Sequence, residues 1–487
     1  MSTDRWGVPT RQLASVVLGT LLNPLNSSMI AVALVPLQHE FGVGVATSTW
    51  LVSGFYLAAA VGQPLMGRLV DLFGARRLFV SGLVVVCVAC LLAPFAPGFW
   101  WLLGVRVLLA AGTSTAFPAA LVLIRAAAIE RQDAGTTERH HPTTKPNPTT
   151  EPRPPAAALA FLTVAASTSA ALGPVLGGFL IAVAGWEAIF LVNVPLTVIG
   201  ILLALRVLPK IPASSTDDTS FLASVDLPGI VLFSGTLLGL LVFVLSVEGG
   251  TTMWWLTGLV VVLAILLVLR ERSTPRPFID IRGLIANRAL TAVLGQQGGF
   301  NLVFYCVFFG LPMWLGSIRG FDADTVGLLV LPIAAMGVLM TPLAARVVEA
   351  RGSRATLVFG SLVLLLATLL VQVLSDATPI VVIVAVALLF GIPGGFNNLG
   401  LQTALYEASP GHRMGSSGGL FQTFRYLGAI SATSVLGVVF GHDLSSAGLH
   451  RIGWIMTGVA AALVLLALVL RPRPASTPAS PPTAPIP

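Results

Sequence analysis

Charged residues are scarce in this chain, at 10% of 487 residues, against roughly 25% in an ordinary soluble domain. Hydrophobic residues make up 55%. Such a composition cannot cover a surface with polar groups, which excludes an ordinary water-soluble globule and indicates a protein surrounded by lipid. Apolar runs of about 20 residues, the length that crosses the hydrocarbon core of a bilayer, recur between Gln12 and Arg471.

Cysteine is also rare, and the three cysteines, Cys87, Cys90 and Cys306, all lie in apolar runs. Small buried side chains are their expected role, rather than a disulfide framework or a metal site. His140 and His141 lie in a polar stretch and are expected to be solvated. We therefore expect no metal and no other cofactor. The net charge of +7 does not indicate nucleic acid, because the basic residues lie in the predicted loops.

The apolar runs predict an all-α membrane protein with fourteen transmembrane helices and no cleavable signal segment. We place these helices near 13–36, 49–69, 77–95, 99–124, 157–184, 188–208, 225–246, 252–269, 289–315, 324–347, 355–374, 379–404, 415–440 and 452–470. With the N-terminus inside, the inner loops and tails hold 23 of the 27 basic residues. The positive-inside rule then places both termini in the cytoplasm of a cell inner (cytoplasmic) membrane.

Two polar segments are predicted to be disordered. Residues 131–155 are rich in proline and threonine and poor in apolar side chains, and residues 471–487 are mostly proline, alanine, serine and threonine. Neither segment can bury enough apolar surface to offset the entropy of folding.

One loop pattern, R-[LV]-V-[DE]-x-x-G-[AS]-R, occurs twice, at Arg68–Arg76 and at Arg346–Arg354. Its glycine permits a tight reversal, and its acid, Asp71 or Glu349, can pair with arginines or favour a facing helix N-terminus. The alternative is that the charges of these loops only set the orientation of the protein in the membrane. That role would not require the acid and the glycine at equal offsets.

The repeat predicts two pseudo-symmetric six-helix bundles, an architecture that secondary transporters use. The N-terminal bundle is expected in residues 1–210 and the C-terminal bundle in residues 288–470. Residues 211–287 are then a linker with two inserted transmembrane helices.

Five motifs, in order along the chain, resemble those of the major facilitator superfamily, in particular its fourteen-span drug:proton antiporter branch. They are Gly67–Arg77, Ser169–Gly178, Trp186–Pro195, Asp226–Gly229 and Arg425–Gly428. The resemblance covers essentially the whole chain. It implies the major facilitator fold, multidrug efflux with antibiotic resistance, and exchange against protons.

The second motif is similar to the antiporter motif of fifth spans. Gly173, Gly177 and Gly178 carry no side chain, so a neighbouring helix can approach closely, and Pro174 permits a bend. Ordinary glycine-rich membrane packing is the alternative.

Arg106, in the fourth span, is costly to bury and is expected to face the interior with a partner. It matches an arginine that the resemblance implies serves proton coupling, but Leu109 and Ala110 stand where that pattern has glutamine and glycine. A structural or snorkelling arginine therefore stays open.

The carboxylate of the family's first span is missing, because Asn26 occupies its place. All twenty acidic residues lie in loops, tails or near span ends, and amides cannot titrate. Three interpretations stay open: coupling through a peripheral acid (Asp71, Glu40 or Asp226), coupling through another ion, or no coupling. A desolvated cation would lack a counter-charge, so we predict a neutral, amphipathic or anionic substrate.

The resemblance implies that spans 1, 4, 9 and 12 face a central cavity, and polar side chains concentrate in these spans. Residues 297, 301 and 305 share one helix face, as do 398 and 402. Hydrogen bonding between helices is the alternative role. The candidate substrate contacts are Asn23, Asn26, Ser27, Gln297, Asn301, Tyr305, Asn398 and Gln402.

We therefore expect a monomeric carrier that exports small amphipathic compounds by alternating access. A facilitative or uptake carrier for a neutral or anionic solute is the alternative. A membrane-embedded enzyme or sensor is disfavoured, because no nucleophile, acid pair or folded soluble part is apparent. The residues expected to govern coupling and gating are Arg68, Asp71, Gly74, Arg76, Arg106, Glu349 and Arg425.

Overall fold

The computed structural model describes residues 8–43, 45–48, 50–137, 156–209, 226–248, 253–274, 277–278, 281–321, 323–409, 413–440 and 444–469. Every regular element in these residues is a helix. The tail 471–487, His140 and His141 lie outside them. The described part of the predicted loop 131–155 is helical as far as Thr137.

The N-terminal helices are α1 (Thr10–Phe41), α2 (Val45–Ser48), α3 (Trp50–Phe73), α4 (Ala75–Leu92), α5 (Phe99–Thr113), α6 (Ala116–Thr137), α7 (Ala156–Ala184), α8 (Ala188–Leu191) and α9 (Asn193–Val207). Two helices follow, α10 (Leu227–Glu248) and α11 (Trp255–Ser273). The short α12 (Ile281–Ala286) leads to the C-terminal helices α13 (Arg288–Ser317), α14 (Ala323–Leu370), α15 (Ile380–Ala408), α16 (Met414–Phe440) and α17 (Ser446–Val469).

Nine helices of the described residues are long and apolar enough to cross a membrane. One of them, Thr325–Val373, has 49 residues, about twice the length that a single crossing needs. The structure therefore does not show the predicted fourteen spans, although helix occurs in each predicted range.

The two copies of the repeated loop have the same conformation. Gly74 separates α3 from α4 with φ 91°, and Gly352 interrupts α14 with φ 81°. Both values fall in the left-handed region, where glycine is favoured because it has no Cβ. Arg76 donates a hydrogen bond to the carbonyl of Leu205, near the end of α9. Arg354 donates in the same way to Leu468, near the end of α17.

The correspondence extends beyond the loops. Gly42 ends α1 with φ 62°, and Gly320 follows α13 with φ 66°. A 3-10 turn follows α4 at Ala93–Phe95, and another follows α14 at Val371–Val373. Each of these pairs is separated by the same number of residues as Gly74 and Gly352, so equivalent turns recur in equivalent places.

Both repeated loops lie at one end of the bundle, which we call the motif end. Asp71 contacts Gly415 at the start of α16, and Ser353 contacts Glu407 in the last turn of α15. Because α16 follows α15 directly along the chain, the two loops share one side of the molecule.

Large apolar side chains cover the outer surface. Trp100, Trp254 and Phe95 are 69%, 72% and 76% exposed, and buried polar side chains such as Gln296, Asn193 and Arg106 turn inward. Exposed tryptophans at helix ends are typical of the boundary between lipid and water. The chain is a multi-pass membrane protein.

Candidate transport cavity

A cavity lies between the N-terminal and C-terminal helices, with about 580 Å³ of empty space including its open part. Eight helices supply its wall: α1, α3, α5, α6, α7, α13, α15 and α16. Spans 1, 4, 9 and 12 do contribute, but spans 2, 5 and 13 contribute as well. The lining residues are Thr20, Asn23, Pro24, Gln63, Thr113, Ala116, Phe117, Leu162, Ala166, Gln297, Asn398, Gln402, Phe421, Gln422 and Arg425.

Four of the eight predicted substrate contacts line this cavity: Asn23, Gln297, Asn398 and Gln402. The Asn23 amide donates to Thr113 Oγ1 at 3.1 Å, and its Oδ1 accepts from the Tyr426 hydroxyl at 2.9 Å. The second bond joins α1 to α16, so it crosses between the N-terminal and C-terminal helices.

The other four predicted contacts do not line the cavity. Asn26 is buried and exchanges amide hydrogen bonds of 2.9 and 3.0 Å with Asn193 of α9. Ser27 is bonded to the Tyr56 hydroxyl at 2.8 Å. The Asn301 amide donates to the Gln297 backbone carbonyl at 2.8 Å. These side chains satisfy one another or the backbone, which is the alternative role that the sequence left open.

Tyr305, the fourth of them, is an electrostatic neighbour of Arg425. Tyr56 and Tyr426 are neighbours of the same guanidinium, and their ring centroids are 5.7 Å apart. Three of the four tyrosines in the chain thus gather around the one arginine that lines the cavity. We call Arg425, Tyr56, Tyr305 and Tyr426 the arginine–tyrosine cluster.

Several lining residues were missed from the sequence. Gln63, Thr113 and Gln422 are polar residues inside apolar runs, a signal that could have found them. Phe117 and Phe421 stack with centroids 6.0 Å apart and ring planes 13° apart. Nothing in the sequence distinguishes this pair from the other 23 phenylalanines, because its two members come from different regions of the chain.

Arg106 lies among the N-terminal helices, 1% exposed, and does not line the cavity. Its guanidinium donates to the carbonyls of Leu51 at 3.2 Å and Asn26 at 3.3 Å, and it lies 4.5 Å from the centre of the Phe55 ring. No carboxylate of the described residues forms an ion pair with it. Backbone carbonyls and an aromatic ring therefore replace the acidic partner that a buried arginine usually has.

The motif end is closed between the N-terminal and C-terminal helices by Asp71. Its carboxylate accepts from the backbone N–H groups of Gly415 at 2.9 Å and Ser416 at 2.8 Å, and from the Ser416 hydroxyl at 2.6 Å. These donors form the first turn of α16, where backbone N–H groups lack partners within the helix and favour a negative charge.

Glycines let α3 and α16 touch beside this contact. A Cβ at Gly67 would lie 2.3 Å from the Gly415 carbonyl oxygen, and one at Gly419 would lie 2.2 Å from the Gln63 carbonyl oxygen. Both obstacles are backbone atoms, so the two helices can approach this closely only where side chains are absent.

Two further arginines bond at the motif end. Arg125 of α6 donates to the Ser409 carbonyl at 3.1 Å and lies 5.2 Å from the Tyr406 ring centre. Arg68 donates to the Pro277 carbonyl. Glu349, the counterpart of Asp71, is exposed and has no hydrogen bond to the described residues.

The predicted antiporter motif lies in α7 against α1. A Cβ at Gly173 would lie 1.8 Å from Ser28 Oγ, and one at Gly177 would lie 3.2 Å from the Met29 carbonyl oxygen. Gly178 has open space at its Cβ position, so it does not serve the close approach predicted for it. Pro174 lies within the helical range of α7.

A polar cavity between two sets of helices, closed at one end by breakable contacts, is the arrangement of a membrane transporter. Residues 16–136 and 150–433 match the family model described as Major Facilitator Superfamily. The chain therefore belongs to the major facilitator superfamily and is a transporter of that family.

The relatives agree with this assignment. The uncharacterized MFS-type transporter YwoD of Bacillus subtilis (strain 168) is 38% identical over 463 residues, covering 94% of this chain and 96% of YwoD. The methylenomycin A resistance protein of the same organism is 26% identical, with 96% and 95% covered. The riboflavin transporter RibZ of Clostridioides difficile (strain 630) is 23% identical, with 89% and 88% covered.

A solved structure supports the fold. The crystal structure of the human organic anion transporter MFSD10 (TETRAN) superposes with a TM-score of 0.66 at 16% identity, covering 94% of this chain and 99% of that chain.

Proposed function

We propose that this protein is a monomeric secondary active transporter that exports small amphipathic compounds by alternating access. The observation that carries the proposal is the polar cavity between the N-terminal and C-terminal helices, together with the closure at one end by Asp71 on the start of α16. A cavity closed at one end by hydrogen bonds and open elsewhere is suited to rocking between two states.

The proposed topology has fourteen spans. It counts α14 as two spans because Gly352 interrupts it, joins α5 with α6 and α8 with α9, and includes α3, α7, α10 and α11. Residues 1–210 and 288–470 then form the two six-helix bundles, with 211–287 as the linker between them. The motif end faces the cytoplasm, as do both termini, and the membrane is the cell inner membrane.

In this topology the closed motif end is the cytoplasmic end, so the described conformation is closed toward the cytoplasm. The cytoplasmic closure consists of a few hydrogen bonds and glycine contacts, and it must break for the inward-facing state to form. Among the proposed gating residues, Arg68, Asp71, Gly74 and Arg76 belong to this closure or to the loop that carries it. Gly173 and Gly177 hold α7 against α1, so those helices move together.

We propose that coupling, where it occurs, uses protons and acts on Asp71. Asn26 and Asn193 satisfy each other's amides and hold no titratable proton. Asp226 is bound to Arg270 at 3.1 Å, and Glu40 is exposed. Of these three peripheral acids, Asp71 alone makes a described contact between the N-terminal and C-terminal helices. Protonation would remove the charge that favours the α16 N-terminus, and the closure would weaken.

Different observations favour the two candidate functions. The name of the methylenomycin A resistance protein favours export and membership of the drug:proton antiporter branch. The absence of a mid-span acid favours the second candidate, an uptake or facilitative carrier for a neutral or anionic solute. RibZ, named a riboflavin transporter, shows that relatives also carry other kinds of compound.

The test begins with susceptibility profiling of a deletion strain over a chemically diverse compound panel. Each compound that becomes more toxic is then followed in inverted membrane vesicles, with and without a proton gradient. Export predicts accumulation inside the inverted vesicles, and proton coupling predicts that collapse of the gradient stops it. Vesicles that carry the Gly419→Val variant, which cannot close the motif end, are the control. Flux that follows only the concentration gradient would favour the second candidate.

A further inference from the structure

We infer that the substrate is an organic monoanion with a flat apolar body and hydroxyl or N–H donors, and that its anionic group binds Arg425. This inference rests on the proposed transport function, because it names the class of cargo for the same cavity.

The charge of the cavity is the first evidence for an anionic substrate. Arg425 is the one charged residue among its lining residues, and a guanidinium stays protonated in proteins. No carboxylate of the described residues forms an ion pair with Arg425. Its electrostatic neighbours are tyrosines rather than carboxylates, namely Tyr305, Tyr426 and Tyr56. The cavity therefore has a permanent positive charge whose counter-ion the described part of the protein does not supply.

The surroundings add to this positive potential. Arg106 is a second buried cation, held by backbone carbonyls and the Phe55 ring. Among the described residues, the acidic side chains lie at helix ends or in loops, as Asp71 and Glu407 do at the motif end. Charges act strongly in such a low-dielectric interior, so an anion is favoured there and a cation is disfavoured.

The donor geometry defines the anionic group. A guanidinium presents five N–H donors in a planar fork that matches the two oxygens of a carboxylate. A carboxylate, or a group of like shape such as a sulfonate, can therefore bind side-on.

Unpaired acceptors define the remaining polar groups. The side-chain oxygens of Gln63, Gln297 and Gln402 are buried without a hydrogen-bond partner in the described structure, and all three residues line the cavity. Burying an acceptor without a partner is unfavourable. A substrate that presents hydroxyl or N–H groups would satisfy these oxygens.

Two aromatic rings provide a surface for the apolar body of the substrate. Phe117 and Phe421 stack almost parallel at the cavity surface. A flat aromatic surface accommodates planar apolar groups.

Three probes that share the 6-hydroxynaphthalene body and carry a negative, a neutral or a positive group at position 2 test the inference: 6-hydroxy-2-naphthoate, its carboxamide, and the corresponding naphthylmethylammonium. Binding to the full-length protein in lipid nanodiscs is measured by calorimetry. We expect the carboxylate to bind about tenfold to hundredfold more tightly than the carboxamide, as charge-assisted hydrogen bonds do, and the ammonium to bind most weakly. The methoxy analogue of the carboxylate, which lacks the donor, should bind more weakly than the hydroxyl probe.

Arg425→Gln should make the dissociation constants of the carboxylate and the carboxamide equal while leaving carboxamide binding unchanged, which also shows that the variant is folded. Arg425→Lys keeps the charge but not the fork, and should give an intermediate preference. Arg11→Gln, which removes an exposed arginine at the start of α1, should behave like the wild type.

Tightest binding of the ammonium probe, or a carboxylate preference that survives in Arg425→Gln, would overturn the inference. Failure of the proposed function looks different. Carboxylate preference without flux in vesicles removes export but leaves the anion site, whereas flux of compounds that bind without charge preference removes the anion site but leaves export.

Discussion

The two repeated loops have the same pattern and the same turn, yet only one of them is bound at its acidic residue. Asp71 accepts three hydrogen bonds from the start of α16, whereas Glu349 is exposed. A position nearby differs as well: Gly67 contacts the Gly415 backbone, and the residue at the equivalent spacing in the second half is Ala345. The repeat therefore determines local conformation, and the neighbouring helix determines whether the loop closes the protein.

The largest effect is expected where backbones touch. Gly67→Ala places a Cβ against the Gly415 carbonyl, and such overpacking costs about 1–3 kcal/mol. The motif-end closure should open, which would lengthen the distance between spin labels at positions 77 and 413, and transport should fall by about tenfold or more. Gly458→Ala, with open space at its Cβ position, is the matched control. Wild-type transport by Gly67→Ala would show that this contact is not part of the cycle.

The second-largest effect is expected at Asp71, whereas the equivalent acid Glu349 should show none. Asp71→Asn removes the charge that faces the α16 N-terminus, a loss of about 1–2 kcal/mol in the closed state. We expect the initial rate of transport in vesicles to fall by about tenfold, and Glu349→Gln to leave it unchanged. Equal loss in both variants would indicate that Glu349 closes on a partner helix in the other state, and the contrast between the loops would then belong to one conformation only.

The two loop glycines should behave alike. Gly74→Ala and Gly352→Ala each place a Cβ on a residue with positive φ, which costs about 1–2 kcal/mol. Equal decreases in thermal unfolding temperature are expected in detergent solution. Gly258→Ala, also with open space at its Cβ position, should not lower it. A much larger decrease for one loop glycine would mean that tertiary contacts, rather than the turn itself, require that glycine.

The smallest effects are expected for the two arginines that bond to the last helix of their own half. Arg76→Gln and Arg354→Gln each lose a hydrogen bond to a carbonyl near a helix end, at Leu205 or Leu468. Because both arginines are partly exposed, each loss should cost about 1 kcal/mol or less. Similar small shifts in unfolding temperature would extend the likeness of the two halves. A loss of transport without a change in stability would instead assign either arginine to gating.

Much of the helical architecture was predictable, because apolar runs in a bilayer must form helices to satisfy their own backbone groups. The sequence also predicted the repeated loop, whose glycines at Gly74 and Gly352 have the same left-handed conformation. The structure did not show the predicted fourteen spans, in part because α14 continues through Gly352 without leaving a separate loop. The sequence predicted that Asp71 could favour a facing helix N-terminus, but it did not predict that this helix would be α16.

The cavity was predictable only in part. Polar residues inside apolar runs identified Asn23, Gln297, Asn398 and Gln402, but the same signal selected Asn26, which pairs with Asn193 instead. A polar side chain in a membrane helix meets either a cavity or another polar side chain, and composition does not distinguish the two. The arginine–tyrosine cluster was not foreseen, because its members lie on α3, α13 and α16.

By itself, the sequence determined that this chain lies in a membrane, that it is helical, and that it contains a repeated loop, since hydropathy and local backbone preferences act over short stretches of chain. Only the tertiary structure decided which polar residues share a cavity and which acid closes the motif end. It also decided that Arg425 lines the cavity and forms no ion pair with a carboxylate of the described residues. Those features depend on distances between helices far apart in sequence, and no local preference encodes such distances.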